Sequence, residues 1–274
     1  MNIIRKYVPG DKPEDTVGIC KYFNGHGVKC SISFLPVEKH ALEKIHSDTE
    51  EYYRLLEIIE KEKLDADITI KLNQFGIYGS RQLAKETATQ IVNCAHDLKN
   101  FVWIDMEAKE TVDDTILVFK EIHEKYPNTG LCLQAYLKRT EEDMKKILRD
   151  RIPLRFVKGY YNNSEFNKWS YVTNNYAHLM EYVLLHSNKP AIATHDLKLV
   201  DTAKKIIREH NLKSAELQFF NGVRNDLAIK SAKEGFNVRV YIPFGNITRY
   251  FIDSFPTLDK YRYIQRALGF KKII

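Results

Sequence analysis

Short runs of β-branched and aromatic residues recur along this chain, and each is followed by a stretch with helical spacing of apolar positions. The runs are Cys30–Leu35, Ile68–Leu72, Phe101–Met106, Leu131–Tyr136, Leu154–Lys158, Ala191–Thr194, Ala215–Phe220 and Val238–Ile242. Between the second and third, Ala84, Ala88, Ile91, Ala95 and Leu98 share one helical face. Thr111-Val112-Asp113-Asp114 reads as a capping box, followed by Ile116, Phe119 and Ile122 on the helix and closed by Pro127. Thr140-Glu141-Glu142-Asp143 opens another helix with Met144, Ile147 and Leu148 on one side. Gly235 stands where a left-handed residue ends a helix begun near Asn225. Eight strand–helix repeats without a Pro/Gly-rich linker predict an α/β fold, a (βα)8 TIM-type barrel forming one domain over residues 1–274. Residues 1–27 form its lead-in, of which 1–19 read as irregular or short helical. A doubly wound open sheet has the same periodicity and stays the alternative, because a local pattern does not report closure.

Composition narrows the class further. Of 274 residues 44% are apolar and 28% charged, enough for a large core and a solvated surface. Twelve Gly and eight Pro are too few for a collagen-like, low-complexity or linker-dominated chain. No apolar run approaches a membrane span, and the first seven residues, Met1 to Tyr7, contain no apolar signal-peptide core. The net charge of +6 is spread through mixed patches such as Lys61-Glu62-Lys63, so no nucleic-acid stripe is expected. Cys20, Cys30, Cys94 and Cys132 show no CxxC spacing and read as reduced thiols of a cytoplasmic protein without a structural metal. There is no GxSxG elbow, P-loop or dinucleotide fingerprint, and Phe23-Asn24-Gly25-His26-Gly27 reads as a turn. Only His195 among the nine histidines falls at a strand end, too little for a metal site.

The strands of such a barrel are expected to be apolar on both faces, so polar residues near their C-terminal ends need a reason. Lys71, Asp105, Gln134, Arg155, Lys158, Thr194, His195, Asp196, Gln218 and Tyr241 all stand near such ends. Lys71, Arg155 and Lys158 beside the carboxylate of Asp105 suit an anionic ligand held against a group of shifted pKa. Gly159 allows a ligand close to the backbone.

In this order the motifs resemble those of the proline dehydrogenase family, the FAD-dependent, monofunctional type, over roughly residues 28 to 270. The stretches are Ile70-Lys71-Leu72, Ile104-Asp105-Met106-Glu107, and Leu133-Gln134-Ala135-Tyr136-Leu137-Lys138-Arg139. They continue with Arg155-Phe156-Val157-Lys158-Gly159-Tyr160-Tyr161, Ala193-Thr194-His195-Asp196, Glu216-Leu217-Gln218, and Val240-Tyr241-Ile242-Pro243-Phe244-Gly245. The resemblance implies an oxidoreductase of proline catabolism that takes L-proline, or a close cyclic amine, to its imine by hydride transfer to flavin N5. It implies FAD contacts from Met106, Gln134, Lys158, Gly159, Tyr160, Thr194, His195 and Gln218. It also implies Arg155 near flavin N5, Asp105 and Lys71 on the substrate side, and Tyr161 and Tyr241 around the substrate ring. Three partners follow: the amino-acid substrate, a quinone or other electron carrier met at the inner face of the membrane, and a separate imine or aldehyde dehydrogenase downstream.

Four positions depart from the family pattern. Tyr160 replaces a small residue, Phe220 stands where Leu is usual, and an arginine pair that grips the substrate carboxylate aligns with Asp253-Ser254, just past Tyr250. Arg249, Arg262 and Arg266 are the candidates to compensate. The alternative this raises is a flavin- or ligand-binding barrel that is non-catalytic or has an altered substrate.

Overall fold

In the computed structural model, residues 3–35, 42–159, 165 and 168–245 are described. Eight parallel strands close into a barrel in sequence order, with β8 hydrogen-bonded back to β1. They are β1 (Lys29–Phe34), β2 (Ala66–Lys71), β3 (Val102–Asp105), β4 (Thr129–Gln134), β5 (Leu154–Val157), β6 (Pro190–Ala193), β7 (Glu216–Phe220) and β8 (Asn237–Phe244). Every strand expected from the pattern is present, with ends shifted by at most two residues, and the open-sheet alternative is excluded by the β1–β8 ladder.

After a lead-in helix α1 (Val17–Asn24), one helix precedes each of β2 to β8. These are α2 (Leu42–Lys61), α3 (Arg81–Asp97), α4 (Val112–Lys125), α5 (Thr140–Ile147), α6 (Trp169–His186), α7 (Leu197–Glu209) and α8 (Asn225–Lys233). The inward stripe of α3 is as expected, with Ala84, Ala88, Ile91 and Ala95 fully buried. The capping box at Thr111 is not formed. Its hydroxyl donates to the Ala108 carbonyl (3.0 Å), because the short 3-10 turn Lys109–Thr111 precedes α4 and already satisfies that end. The Phe23–Gly27 turn also starts later than expected, since Phe23 and Asn24 still belong to α1. No helix among the described residues is long and apolar enough to cross a membrane.

The expectation of strands apolar on both faces holds for β6 (Pro190-Ala191-Ile192-Ala193) but is overturned for most of the others. Along each strand one set of residues is apolar and packs against the helices: Ile32, Ile68, Ile70, Ile104, Leu133, Phe156, Leu217, Val240 and Ile242 all join the main hydrophobic core. Phe156, for example, stacks on Tyr176 of α6 at 4.6 Å. The alternate set faces the barrel interior and is largely polar: Ser31, Asp67, Thr69, Lys71, Asp105, Arg155, Glu216, Arg239 and Tyr241 contact one another across strands. The period-two geometry of a strand makes such a division possible. Trp103 fills the interior beside these groups, and Gly130 makes room for it. A Cβ at Gly130 would lie 2.5 Å from the indole ring.

The lead-in also reaches the C-terminal rim. Gly10 accepts a backbone hydrogen bond from Gly245 (2.9 Å), and the Asn221 side chain donates to the Tyr7 carbonyl (3.0 Å). Gly222, at φ +80°, passes so close beneath that a Cβ would lie 2.5 Å from the Lys6 oxygen.

Candidate active site

The inward-facing polar groups form two layers. The lower one lies toward the N-terminal ends of the strands. There Arg239 binds Glu216 through Nε and Nη2 (2.9 and 2.8 Å), Asp67 through Nη1 (2.9 Å) and the Cys30 carbonyl (2.7 Å). Trp103 Nε1 donates to Asp67 (3.1 Å), and Gln218 donates to Glu216 (3.0 Å). Burial opposes ionisation of Glu216, but the charges of Arg239 and Lys189 and the hydrogen bonds overcome it and bring its pKa down to about 2. Gln218 therefore sits inside the barrel with its amide nitrogen committed to this layer.

The upper layer centres on Asp105. Lys71 and Asp105 are register partners at the ends of β2 and β3, so their side chains leave the sheet side by side. Lys71 Nζ donates to Asp105 Oδ2 (2.8 Å) and to Glu107 Oε1 (2.9 Å). Arg155 Nη1 donates to Asp105 Oδ1 (3.1 Å) and Thr69 Oγ1 (3.0 Å), and its Nη2 to Ser31 Oγ (3.0 Å). The guanidinium also stacks over Trp103 at 4.6 Å. Burial pushes the Asp105 carboxyl up, yet the charges of Lys71 and Arg155 and their hydrogen bonds prevail and hold it below the usual carboxylate range. Burial raises the Tyr241 phenol, so it stays protonated and donates to Asp105 Oδ2 (3.3 Å). Phe220 stacks on the Tyr241 ring at 5.6 Å.

Arg155 corrects one expectation. It is not a strand-end residue but an interior one, 2% exposed, because it is the second residue of β5 and its parity turns it inward. Glu107, Ser31 and Thr69 join the cluster without standing out at a strand end, although the sequence carries a signal for each: Glu107 is two residues beyond Asp105, and both hydroxyls alternate with isoleucines in β1 and β2.

Of the residues implied for a flavin, Gln134, Lys158, Gly159, Thr194 and His195 lie along the rim of β4, β5 and β6 and Met106 follows β3, whereas Gln218 stands within β7, bound to Glu216 of the lower layer. Gln134 donates its amide to the Met106 carbonyl, while its buried Oε1 has no partner among the described residues. Lys158 donates to Thr173 (3.1 Å) and Asp196 (3.3 Å), and burial lowers its pKa. Thr194 Oγ1 accepts from the Asp196 backbone (3.2 Å). His195 Nε2 accepts the Phe220 backbone N–H (2.8 Å), which leaves the ring proton on Nδ1 as a donor. Burial first, then the charges of Arg224 and Lys158, bring the His195 pKa down to about 4, so the ring is neutral near pH 7. An unsatisfied buried acceptor, a neutral imidazole donor and a cation along one rim fit a heteroaromatic cofactor bearing phosphates. Tyr160 and Tyr161 lie outside the described residues, as do Arg249, Tyr250, Asp253, Ser254, Arg262 and Arg266.

Gly159 gives a direct test of this rim. It adopts φ +73°, and a Cβ there would lie 2.6 Å from Tyr136 Cδ1 and 2.7 Å from Gln134 Cβ. Gly159→Ala is expected to lower stability by about 1–3 kcal/mol through backbone strain and that clash. Because the clash displaces Tyr136 and Gln134, binding of the flavin that the family resemblance implies should weaken by at least about tenfold. Urea unfolding and FAD titration check the two effects separately; unchanged FAD affinity would remove Gly159 and Gln134 from the cofactor rim.

A groove of about 730 Å³ between α7 and α8, lined in part by Lys204, Arg208, Arg224 and Glu234, lies outside the barrel. Several of its charges pair internally, as in Lys204–Glu234 at 2.8 Å, and it reaches the site only through the charge of Arg224 on His195.

The fold and the site define an α/β-barrel protein whose interior carries a buried, charge-balanced cluster opening at the C-terminal rim. Residues 20–251 match the family model described as proline dehydrogenase. The chain is 31% identical over 269 residues to proline dehydrogenase 2 of Bacillus subtilis, covering 96% of this chain and 85% of that one. It is 27% identical over 278 residues to a proline dehydrogenase of Deinococcus radiodurans, covering 98% and 86%. The chain belongs to the proline dehydrogenase family. In fold it is similar to proline utilization A (PutA) of Bdellovibrio bacteriovorus, with a TM-score of 0.84 at 17% identity. That match covers 96% of this chain but 32% of the PutA chain, so the present chain spans about a third of it.

Proposed function

We propose that this protein is an FAD-dependent oxidoreductase that converts L-proline to 1-pyrroline-5-carboxylate. The observation that supports the reading most strongly is the buried Lys71–Asp105–Arg155–Tyr241 cluster, contributed by β2, β3, β5 and β8 within the family-matched region. FAD would be held by Met106, Gln134, Lys158, Gly159, Thr194 and His195, and when bound it supplies the acceptor for the hydride that leaves the carbon beside the ring nitrogen.

The chain's own residues orient and polarise. Asp105, held ionised by two cations, is a poor proton acceptor and serves as the anchor of the cluster. It fixes Lys71, Arg155 and Tyr241 relative to one another within hydrogen-bond distance. Arg155 keeps a permanent positive charge inside the barrel, which favours negative charge building up at the rim. Phe220 and Tyr241 present a stacked aromatic wall suited to a saturated five-membered ring. The imine product calls for a separate imine or aldehyde dehydrogenase, and reoxidation calls for a quinone or another carrier.

Anaerobic addition of L-proline to the FAD-loaded protein is expected to bleach its visible flavin absorbance. Yellow protein that keeps its colour with proline would overturn the reading and leave a flavin- or ligand-binding barrel. Protein that takes up no FAD would overturn the cofactor as well.

A further inference from the structure

We propose that Arg224, on the loop between β7 and α8, binds the phosphate groups of the flavin nucleotide, and that its strained backbone is retained for that contact. The proposal rests on the flavin reading above and adds a residue that neither the motif pattern nor the family match assigns.

Arg224 has φ +141° and ψ +44°, outside the regions open to a residue with a side chain. The other four non-glycine residues with positive φ, at +49° to +55°, are ordinary left-handed turn positions. The loop holds Arg224 in place from both sides. Phe220 donates its backbone N–H to His195 Nε2 (2.8 Å), Val223 donates to the Phe220 carbonyl (3.1 Å), and Gly222 donates to Asn225 Oδ1 (2.9 Å). Past it, the Ala228 N–H returns to the Arg224 carbonyl (3.0 Å).

The contacts of the side chain do not account for the strain. Its ionic partner among the described residues is Asp226, two positions on, through two bonds of 3.2 Å. The Asp226 side chain is 71% exposed, and an ion pair in water stabilises less than a backbone this strained costs. The start of α8 gains nothing from the guanidinium either. A cation beside a helix N-terminus is unfavourable, and the Asp226 carboxylate already accepts from the first backbone amides there. Strain with no return in the folded protein is the mark of a ligand contact.

The surroundings give the chemistry of that ligand. The charges of Arg224 and Lys158 both reach His195 and oppose its protonation, so two cations flank a neutral imidazole whose Nδ1–H is a donor. The ends of β5 and β6 and the loop after β7 bring the three to one rim. Two cations and a neutral donor suit an anion of more than one charge, and a planar guanidinium holds phosphate through paired N–H donors. In a flavin nucleotide only the phosphates have that character.

The experiment uses the whole chain stripped of flavin and compares the parent with Arg224→Gly and Arg224→Gln. Three quantities are read: the thermal midpoint of the flavin-free protein, and the dissociation constants of FAD and of riboflavin, followed by flavin fluorescence. Glycine adopts φ +141° without strain. Arg224→Gly is therefore expected to raise the flavin-free midpoint by about 2 °C or more, yet to weaken FAD binding at least about tenfold. Riboflavin, which carries no phosphate, should bind the parent and the variant within about twofold. Arg224→Gln keeps the strain and loses the charge, so it should weaken FAD as glycine does without the gain in midpoint.

Unchanged FAD affinity in both variants would overturn the proposal. So would a lower midpoint in Arg224→Gly with equal losses for FAD and riboflavin, which would make the arginine structural. A parent that binds riboflavin as tightly as FAD would also overturn it. A parent that binds FAD without oxidising proline would overturn the activity alone, and the binding constants would still judge Arg224. A parent that binds neither flavin would overturn both this proposal and the cofactor.

Discussion

Asp105→Ala is expected to lose both stability and turnover. Arg155 is 2% exposed, and its ionic partner in the site is Asp105 at 3.1 Å. Removing one member of a buried pair leaves a desolvated charge and typically costs about 3–5 kcal/mol. At roughly 2–4 °C per kcal/mol for a chain of this size, the thermal midpoint should fall by roughly 6–20 °C. Lys71 keeps Glu107 and is disturbed less. Tyr241 loses its acceptor as well, so three groups of the site lose their common anchor. Misplacement of reacting groups by about 1 Å can cost about a hundredfold in rate, and at least that loss of kcat is expected. Asp105→Asn, which keeps the shape and an acceptor but not the charge, should fall between. Urea unfolding and anaerobic flavin reduction provide the measurements. Stability within about 1 kcal/mol of the parent, together with normal reduction, would show that Asp105 does not anchor the cluster.

The second large effect belongs to the lower layer and separates stability from chemistry. Arg239→Met leaves Asp67 and Glu216, 3% exposed each, without the cation that both contact. A loss of about 3–5 kcal/mol at pH 7 is expected, with kcat per folded molecule unchanged, because among the described residues the hydrogen bonds and ion pairs of Arg239 all lie in the lower layer.

Acidity gives the sign. In the parent, Glu216 titrates near 2, below the unfolded value of about 4.3. Its contribution is present above about pH 4.3 and is lost as the pH falls toward 2. Asp67 runs the other way, raised by burial against the pull of Arg239, and offsets part of that loss. In Arg239→Met both carboxylates should titrate above their unfolded values, so the folded state takes up protons and the variant gains stability as the pH falls from 7 to 5. Urea unfolding of both proteins at pH 7 and pH 5 measures the crossing. A variant as stable as the parent at pH 7, or weaker still at pH 5, would contradict the role of Arg239.

Much of this was legible along the chain. The strand runs carry their boundaries in β-branched and aromatic content, and the helices carry theirs in apolar spacing, caps and Gly235. Lys71 and Asp105 were visible as polar residues ending Ile68-Thr69-Ile70 and Val102-Trp103-Ile104. Thr111 misled because its hydroxyl had a nearer acceptor in the preceding turn. Arg155 misled because a four-residue strand offers no internal evidence of which parity faces inward. Its role emerges only from the partners it meets on β1, β2 and β3.

Local pattern, by itself, determined the repeating unit of this protein, the number of units and the residues able to carry charge or accept a ligand. Those properties depend on spacings of two and of three to four residues, which the chain displays without being folded. The tertiary structure decided which of those residues meet. Arg155 lies 124 positions from Ser31 and 50 from Asp105, and Tyr241 lies 136 from Asp105. Their contacts exist because β8 closes on β1, and closure depends on the tilt and stagger summed over all eight strands. Closure also withdraws the interior from water, so that the same charges, unremarkable along the chain, bind one another strongly enough to hold Asp105 ionised and Arg155 buried.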